Sequence, residues 1–354
     1  MKKVWTKTKV GRMNLPHRLA MAPMTRSRAN VDGTPGELAA LYYSQRASMG
    51  LIISEGTQPS EDGQGYLWSP GIYNEAQIEG WKKVIDAVHE KGAFMYIQLM
   101  HAGRMSHPEN TPHSRQAVAP SAFAPGVQMF TQKGMQEIPE PRALTIEEIN
   151  TTVQDFTHAA VAAVKAGADG IEIHGANGYL IQQFFAVNSN KRKDKYGGTI
   201  ENRARFGLEV ANAVAEAIGA DRTGFRISPG DLAYMGIFEG EESSDFYRYF
   251  VPELAKLDLA YLHVMHIGNE ELLKEIREMW PNKLLVNRMG RPLEHIDLDI
   301  EAGIADVAPI GAWSIANPDL IERLQAGATL NEADRTTFFG GDSKGYTDYP
   351  TMNK

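Results

Sequence analysis

The sequence predicts an α/β fold, a single (β/α)₈ TIM barrel in one domain spanning residues 1–354. Short apolar segments alternate with longer segments of helical periodicity, which predicts parallel strands joined by helices. Eight such apolar segments occur over a length that barrels of this kind reach as one unit. No Pro/Ser-rich linker and no abrupt shift in charge marks a boundary between two domains.

The predicted strands are short and rich in Val, Ile, Leu and aromatic residues, as strands buried on both faces are. They are residues 18–22, 51–55, 94–99, 170–174, 223–228, 261–265, 284–287 and 305–310.

Segment 145–165 shows why the intervening segments predict helices. Thr145 and Glu148 form a capping box. Apolar residues then recur at helical spacing, at Ile149, Val153, Phe156 and Ala160. Gly167 is placed to end this helix, and Gly219 ends the next one in the same way.

One connection is much longer than the others. About 45 residues separate the third strand from the Thr145 helix, too many for a plain loop in a compact domain. Segment 120–142 therefore predicts a small hairpin or cap over one barrel end. It is either a lid beside a substrate site or a surface excursion.

Composition excludes several classes of function. Lys and Arg number 36 against 44 Asp and Glu, and this net charge of −8 argues against a nucleic-acid partner. The absence of cysteine excludes disulfides and cysteine-ligated metal clusters. The basic N-terminus lacks the apolar region of a signal peptide, and no apolar run is long enough to cross a membrane. We therefore expect a cytoplasmic protein with no membrane partner and no structural metal.

The most informative segment follows the fourth predicted strand. His174 and Asn177 can aim two hydrogen-bond donors at one oxygen, and Tyr179 can offer a proton nearby. Such a set suits a site that polarises a carbonyl group and protonates an adjacent carbon.

Segments 174–206, 315–324 and 344–350 make the chain similar to the Old Yellow Enzyme family of flavin-dependent ene-reductases. The resemblance is to the branch containing N-ethylmaleimide reductase and pentaerythritol tetranitrate reductase. It covers roughly residues 4–350 and implies FMN as cofactor, with NADPH or NADH as hydride donor. It also implies ping-pong reduction of an enone or nitro compound, in a monomer or homodimer.

The resemblance also assigns roles to individual residues. His174 and Asn177 would hold the substrate oxygen, and Tyr179 would give a proton to the α-carbon. The implied FMN contacts are Ala22, Pro23, Met24, Thr25, Gly56, Gln98, Arg226, Arg288, Met289, Gly290, Gly311 and Ala312. The implied substrate contacts are Thr25, Tyr66, Met100, His174, Asn177 and Tyr346.

Two positions depart from the family pattern. Met100 stands where the family commonly has tryptophan, which replaces a rigid ring with a flexible thioether. Ala312 stands where the family usually has an arginine that contacts the FMN phosphate. Backbone donors at Gly311 and Ala312, or the charge of Arg288 or Arg291, would then hold the phosphate.

Arg226 lies inside an apolar strand and cannot shed its charge, so it needs a buried anionic partner. That partner is either the reduced flavin or a barrel carboxylate such as Glu172.

Three other functions remain to be weighed against an ene-reductase. A metal-dependent barrel hydrolase would use His101, His174 and His263 as ligands, without FMN. An iron–sulfur reductase would need cysteines that the chain lacks. A flavin-binding barrel without turnover would have no use for the His174, Asn177 and Tyr179 set.

Overall fold

A computed structural model describes residues 2–352 of the chain. Within these residues the strands are β1 (Thr8–Val10), β2 (Met13–Leu15), β3 (Leu19–Met21), β4 (Leu51–Ile53), β5 (Phe94–Leu99), β6 (Val118–Ala119), β7 (Gln128–Thr131), β8 (Gly134–Glu137), β9 (Arg142–Ala143), β10 (Gly170–Gly175), β11 (Thr223–Ile227), β12 (Tyr261–His266), β13 (Lys283–Arg288) and β14 (Ala308–Ile310). The helices are α1 (Ala39–Ser44), α2 (Glu75–His89), α3 (Ile146–Lys165), α4 (Leu180–Phe185), α5 (Ile200–Ile218), α6 (Ser243–Ala255), α7 (Glu270–Met279), α8 (Leu298–Glu301), α9 (Ala312–Ala316) and α10 (Leu320–Ala326).

Eight parallel strands form the barrel, in the order β3, β4, β5, β10, β11, β12, β13 and β14. The Val286 N–H donates to the Val307 carbonyl at 3.1 Å, and this contact joins β13 to β14 and closes the ring. All eight predicted strands are present, so the predicted fold class is confirmed. The last one is shorter than predicted, because residues 305–307 make only a bridge with β13 before the regular pairing with β3 begins.

The predicted helix signals also hold. Thr145 caps α3: its hydroxyl accepts from the Glu148 N–H, and the Glu148 carboxylate accepts from the Thr145 N–H at 2.8 Å. Gly167 and Gly219 follow α3 and α5 with φ of 103° and 97°, conformations that L residues rarely adopt. Among the described residues, no helix combines the length and the apolar character that a membrane crossing requires.

A hairpin that the sequence analysis did not predict covers the N-terminal end of the barrel. Strands β1 and β2 pair in antiparallel fashion, and their Val10, Met13 and Leu15 pack under the barrel against Leu51 and Tyr261. With this end filled by side chains, the opposite end is the one left to hold a ligand.

The long connection after β5 forms a cap over that opposite end. Strands β7 and β8 make the predicted small hairpin. Met129 and Ile138, from the hairpin and its flank, pack in one apolar cluster with Met100 and Tyr179. The cap is therefore part of the wall above the barrel mouth, and this part of the fold prediction is confirmed.

Candidate active site

A cavity of about 430 Å³ opens at the C-terminal ends of the barrel strands. Its lining combines residues from β5, β10, β11, β13 and α9 with residues from the loops between these elements and near both ends of the chain. The residues are Ala22, Pro23, Met24, Thr25, Gly56, Tyr66, Gln98, Met100, His174, Asn177, Tyr179, Arg226, Asn287, Gly311, Ala312, Ile315, Phe338 and Phe339.

The structure brings most of the predicted site residues into this one cavity. Four predicted residues are not in its lining: Arg288, Met289, Gly290 and Tyr346. Four lining residues were not predicted: Asn287, Ile315, Phe338 and Phe339.

His174 is held as a neutral hydrogen-bond donor. Its Nδ1 accepts from the Ala176 N–H at 3.3 Å, and a backbone N–H can only donate, so the ring proton must be on Nε2. Burial, with the positive charge of Arg226 and the neighbouring His263, lowers the pKa of His174 well below its ordinary value. His174 therefore presents an N–H to the cavity over the whole neutral range.

The backbone after His174 makes a tight turn. Asn177 has a φ of 56°, and its N–H donates to the Ser228 hydroxyl at 2.9 Å. Gly178 follows with a φ of 81° and donates to the Gln182 side chain at 2.8 Å. Within residues 2–352 the buried Oδ1 of Asn177 has no hydrogen-bond partner. The turn is thus fixed by its backbone, and the amide of Asn177 is left for a ligand.

Tyr179 lies at the buried side of the cavity and stays protonated. Its hydroxyl is 3.0 Å from the Tyr66 hydroxyl, and its ring meets the His174 ring edge-on at 5.0 Å. Burial and the neighbouring phenols of Tyr66 and Tyr234 raise the pKa of Tyr179 well above its ordinary value. A buried neutral phenol of this kind can act as a general acid.

Arg226 is a buried cation that makes no ion pair with a carboxylate among residues 2–352, although the charge of Glu172 still acts on it. Its Nε has no hydrogen-bond partner among residues 2–352, and the side chain lines the cavity. The Glu172 carboxylate, suggested as its partner, instead accepts hydrogen bonds from Gln98 at 2.7 Å, Tyr261 at 3.0 Å and His263 at 2.9 Å. Burial alone would raise the pKa of Glu172, but His263, Arg226 and Gln98 together lower it, so the carboxylate is ionised.

The predicted phosphate contacts after β13 lie outside the cavity lining. Arg288 is ion-paired with Asp299 at 2.6 Å and with Glu270, and Arg291 also contacts Asp299 at 2.8 Å. Met289 is 64% exposed. By contrast, Gly311 and Ala312 after β14 line the cavity.

Tyr346 is buried behind the cavity wall rather than in it. Its ring stacks on Tyr42 at 4.2 Å, and the guanidinium groups of Arg26 and Arg28 lie over it. Its position follows from aromatic and cation–π packing, which a sequence motif does not reveal.

Phe338 and Phe339 reach the cavity because arginines near the N-terminus hold the C-terminal segment 337–346. Arg26 donates to the carbonyls of Phe338 and Gly345, each at 2.9 Å, and Arg28 donates to the Thr337 carbonyl at 3.0 Å. The sequence predicts that an arginine in an apolar segment needs hydrogen-bond acceptors, but it does not predict which segment supplies them.

The histidines considered as metal ligands do not form a metal site. His101 is buried, with Nδ1 accepting from the Gly103 N–H at 3.1 Å, and His263 bonds to Glu172. Across residues 2–352, no three histidine, aspartate or glutamate side chains group as ligands for one ion.

Comparison with known proteins gives consistent matches over the whole chain. The sequence profile of the NADH:flavin oxidoreductase / NADH oxidase family matches residues 3–331. The chain is 40% identical over 352 residues to a probable flavin mononucleotide-dependent alkene reductase of Leishmania infantum, covering 97% of this chain and 96% of that protein. It is 40% identical over 361 residues to 12-oxophytodienoate reductase 2 of Arabidopsis thaliana, covering 98% and 95%.

Two solved structures extend the match to the fold. Morphinone reductase in complex with tetrahydroNAD superposes with a TM-score of 0.94 at 42% identity, covering 99% of this chain and 98% of that one. An old yellow enzyme homologue from Zymomonas mobilis superposes with a TM-score of 0.94 at 36% identity, covering 98% and 99%.

Proposed function

From the premise that the chain belongs to the NADH:flavin oxidoreductase / NADH oxidase family, among the Old Yellow Enzyme-type proteins, we propose that it is an FMN-dependent ene-reductase. It would take hydride from NADH or NADPH and reduce the activated C=C bond of an α,β-unsaturated carbonyl or nitro compound. The observation that carries the proposal is the meeting of the His174 N–H, the Asn177 amide and the Tyr179 hydroxyl in one cavity.

The cavity fits the cofactor that the family uses. Arg226 supplies a buried positive charge that makes no ion pair within residues 2–352. A flavin ring, which carries negative charge when it is reduced, needs such a cation beside it. Gln98 gives its amide N–H to Glu172, which leaves its carbonyl oxygen to accept a hydrogen bond from a ligand. When bound, FMN supplies the reversible two-electron chemistry that links the nicotinamide to the substrate.

The remaining contacts proposed for FMN come from the strand ends. Residues Ala22, Pro23, Met24 and Thr25 follow β3, and Gly56 follows β4. Gly311 and Ala312 would offer backbone N–H groups to the phosphate, with the loop Arg288, Met289 and Gly290 beside them. Arg288 would share its charge between the phosphate and the two carboxylates it already contacts.

His174 and Asn177 would hold the substrate oxygen. As hydride adds to the β-carbon, negative charge builds on that oxygen, and fixed donors stabilise this charge more than they stabilise the ground state. The neutral tautomer of His174 puts its N–H toward the cavity, and the turn at Asn177 is fixed by backbone hydrogen bonds. Neither group has to reorganise during the reaction.

Tyr179 would donate a proton to the α-carbon. Its raised pKa keeps the hydroxyl protonated at neutral pH. Tyr66 and Met100 line the same wall and would shape the substrate pocket.

A single cavity would serve both substrates in turn. The nicotinamide would enter, leave as the oxidised form and be replaced by the unsaturated compound, which is a ping-pong cycle. The complex of morphinone reductase with tetrahydroNAD supports entry of a nicotinamide into a cavity of this fold.

Stopped-flow measurement of the two half-reactions tests the proposal. In Tyr179→Phe we expect flavin reduction by NADPH or NADH at the native rate and proton transfer to cyclohexenone slower by roughly 100-fold, the usual contribution of a general acid. Equal slowing of both half-reactions would contradict the role of Tyr179, and a purified protein that does not bind FMN would contradict the function itself.

A further inference from the structure

The hydroxyl of Tyr179 has one hydrogen-bond partner among the described residues, and it is another phenol. The two oxygens of Tyr179 and Tyr66 are 3.0 Å apart, and the rings are nearly perpendicular, at 88°. Tyr179 is only 9% exposed, whereas Tyr66 is partly exposed. Tyr66 is therefore the more exposed member of this hydrogen-bonded pair.

Tyr66 is fixed in this place by its own loop. Its carbonyl accepts hydrogen bonds from the Gln64 side chain at 3.1 Å and from the Ser69 hydroxyl at 3.0 Å. Gly65, the residue before it, packs so closely on Met105 and Ala102 that a Cβ there would overlap them. The ring of Tyr66 thus belongs to a rigid wall.

A proton donor must be reprotonated once in every cycle, and Tyr179 is poorly placed to take that proton directly from solvent. Burial makes its phenolate costly, as the raised pKa of Tyr179 shows. Arg226, His174 and Tyr234 are the nearby groups that carry or can take charge, and none is placed to give Tyr179 a proton. Arg226 does not release its protons, and within residues 2–352 no hydrogen bond joins Tyr179 to His174 or to Tyr234.

We propose that Tyr66 is the proton relay that reprotonates Tyr179 with a proton from solvent, an inference that rests on the proposed role of Tyr179 as the acid. When the Tyr179 O–H bond breaks, a C–H bond forms at the α-carbon and the phenol oxygen keeps the electron pair. The Tyr66 O–H bond then breaks, its proton passes to Tyr179, and Tyr66 takes a proton from water. One solvent proton enters for each product released. Tyr66 is a positioning residue that acts through Tyr179.

The direct test follows the hydroxyl proton of Tyr179 without turnover. Holoenzyme is prepared with tyrosine labelled with carbon-13 at Cζ, whose NMR shift differs between O–H and O–D, and Tyr179→Phe assigns the signal. After transfer to D₂O, we expect Tyr66→Phe to slow hydroxyl exchange at Tyr179 by roughly 100-fold, the lower end of the contribution of a general acid–base group. An unchanged or faster exchange rate would overturn the relay. If the Tyr66 hydroxyl were only structural, its loss would let water reach Tyr179 and exchange would not slow.

A kinetic arm separates this inference from the function on which it rests. Tyr66→Phe should lower steady-state turnover, and small acids such as imidazolium should restore it, while Tyr179→Phe should gain nothing from them. Tyr73→Phe, the same change in the same loop but outside the cavity lining, is the matched control and should behave as native. A purified protein that binds no FMN overturns the proposed function itself. If Tyr179→Phe keeps native proton transfer, the role of Tyr179 as the acid fails and the relay fails with it; if Tyr66→Phe slows turnover without rescue, the relay fails alone.

Discussion

The unpaired charge of Arg226 gives the sharpest test of the cofactor site. We consider Arg226→Met, which keeps much of the side-chain volume and removes the guanidinium group. In the apoprotein Arg226 donates no hydrogen bond from Nε, and Glu172 is already bonded to Gln98, Tyr261 and His263. Glu172 acts on Arg226 through space without ion-pair contact and keeps those three hydrogen bonds. We therefore expect the free energy of unfolding of the apoprotein to fall by no more than about 1 kcal/mol, less than the cost of breaking a buried ion pair.

The same substitution should weaken FMN binding strongly. A hydrogen bond to a charged group contributes about 1.5–3 kcal/mol. At about 1.4 kcal/mol for each factor of ten, its loss raises the dissociation constant by roughly 10- to 100-fold. Quenching of flavin fluorescence on titration into apoprotein measures the dissociation constant, and urea denaturation of the same apoprotein measures stability.

The alternative partner for Arg226 gives the opposite result. If Glu172 were the anion that Arg226 needs, removing the guanidinium would leave a buried carboxylate uncompensated and cost about 3–5 kcal/mol of apoprotein stability, with little change in FMN affinity. Arg104→Met is the matched control: this buried arginine donates to the Phe123 and Gly236 carbonyls outside the cavity lining, so its loss should lower stability and leave FMN affinity unchanged.

Two further predictions concern the turn after β10 and the pH dependence of stability. In Gly178→Ala the alanine would have to keep a φ of 81°, and its Cβ would lie 2.7 Å from the Met235 Cβ. We therefore expect the free energy of unfolding, measured by urea denaturation, to fall by about 1–2 kcal/mol, and the holoenzyme to bind a phenol more weakly. Native values for both would show that the turn can rearrange freely. Burial lowers the pKa of His101 from 6.5 to about 4, so the unfolded chain binds a proton that the native protein does not, and stability falls as the pH drops from 6.5 to 4 by about 3 kcal/mol. His101→Asn should flatten this part of the stability curve, and an unchanged slope between these pH values would rule out His101 as its source.

The barrel could be predicted from the sequence because its signals are local. Strand-like segments, helical spacing and the Thr145 cap each depend on residues that are close in sequence. The residues of the His174 turn are equally local, so their meeting followed from the strand end alone. The expected anionic partner of Arg226 stays a prediction, because within residues 2–352 no carboxylate makes an ion pair with it.

Long-range contacts explain what the sequence did not predict. Each strand of the β1–β2 hairpin is only three residues long. Buried and exposed residues alternate on both sides of Gly11, but so short a pattern predicts a strand only when the barrel end that it covers is known. Asn287 reaches the cavity from β13, Ile315 from α9, and Phe338 through hydrogen bonds to Arg26. Tyr346 was assigned from a motif, but ring stacking with Tyr42 decides its place.

The arginine contacts to segment 337–346 also have a consequence for assembly. The Arg26 guanidinium and the Gly345 carbonyl are 319 positions apart in the chain, yet they meet beside the strand that begins the barrel. A chain that stops before Thr337 would contain every barrel strand but would lack the part of the cavity wall that Phe338 and Phe339 form. Completion of the cavity lining therefore depends on contacts that form only after the last barrel strand has been made.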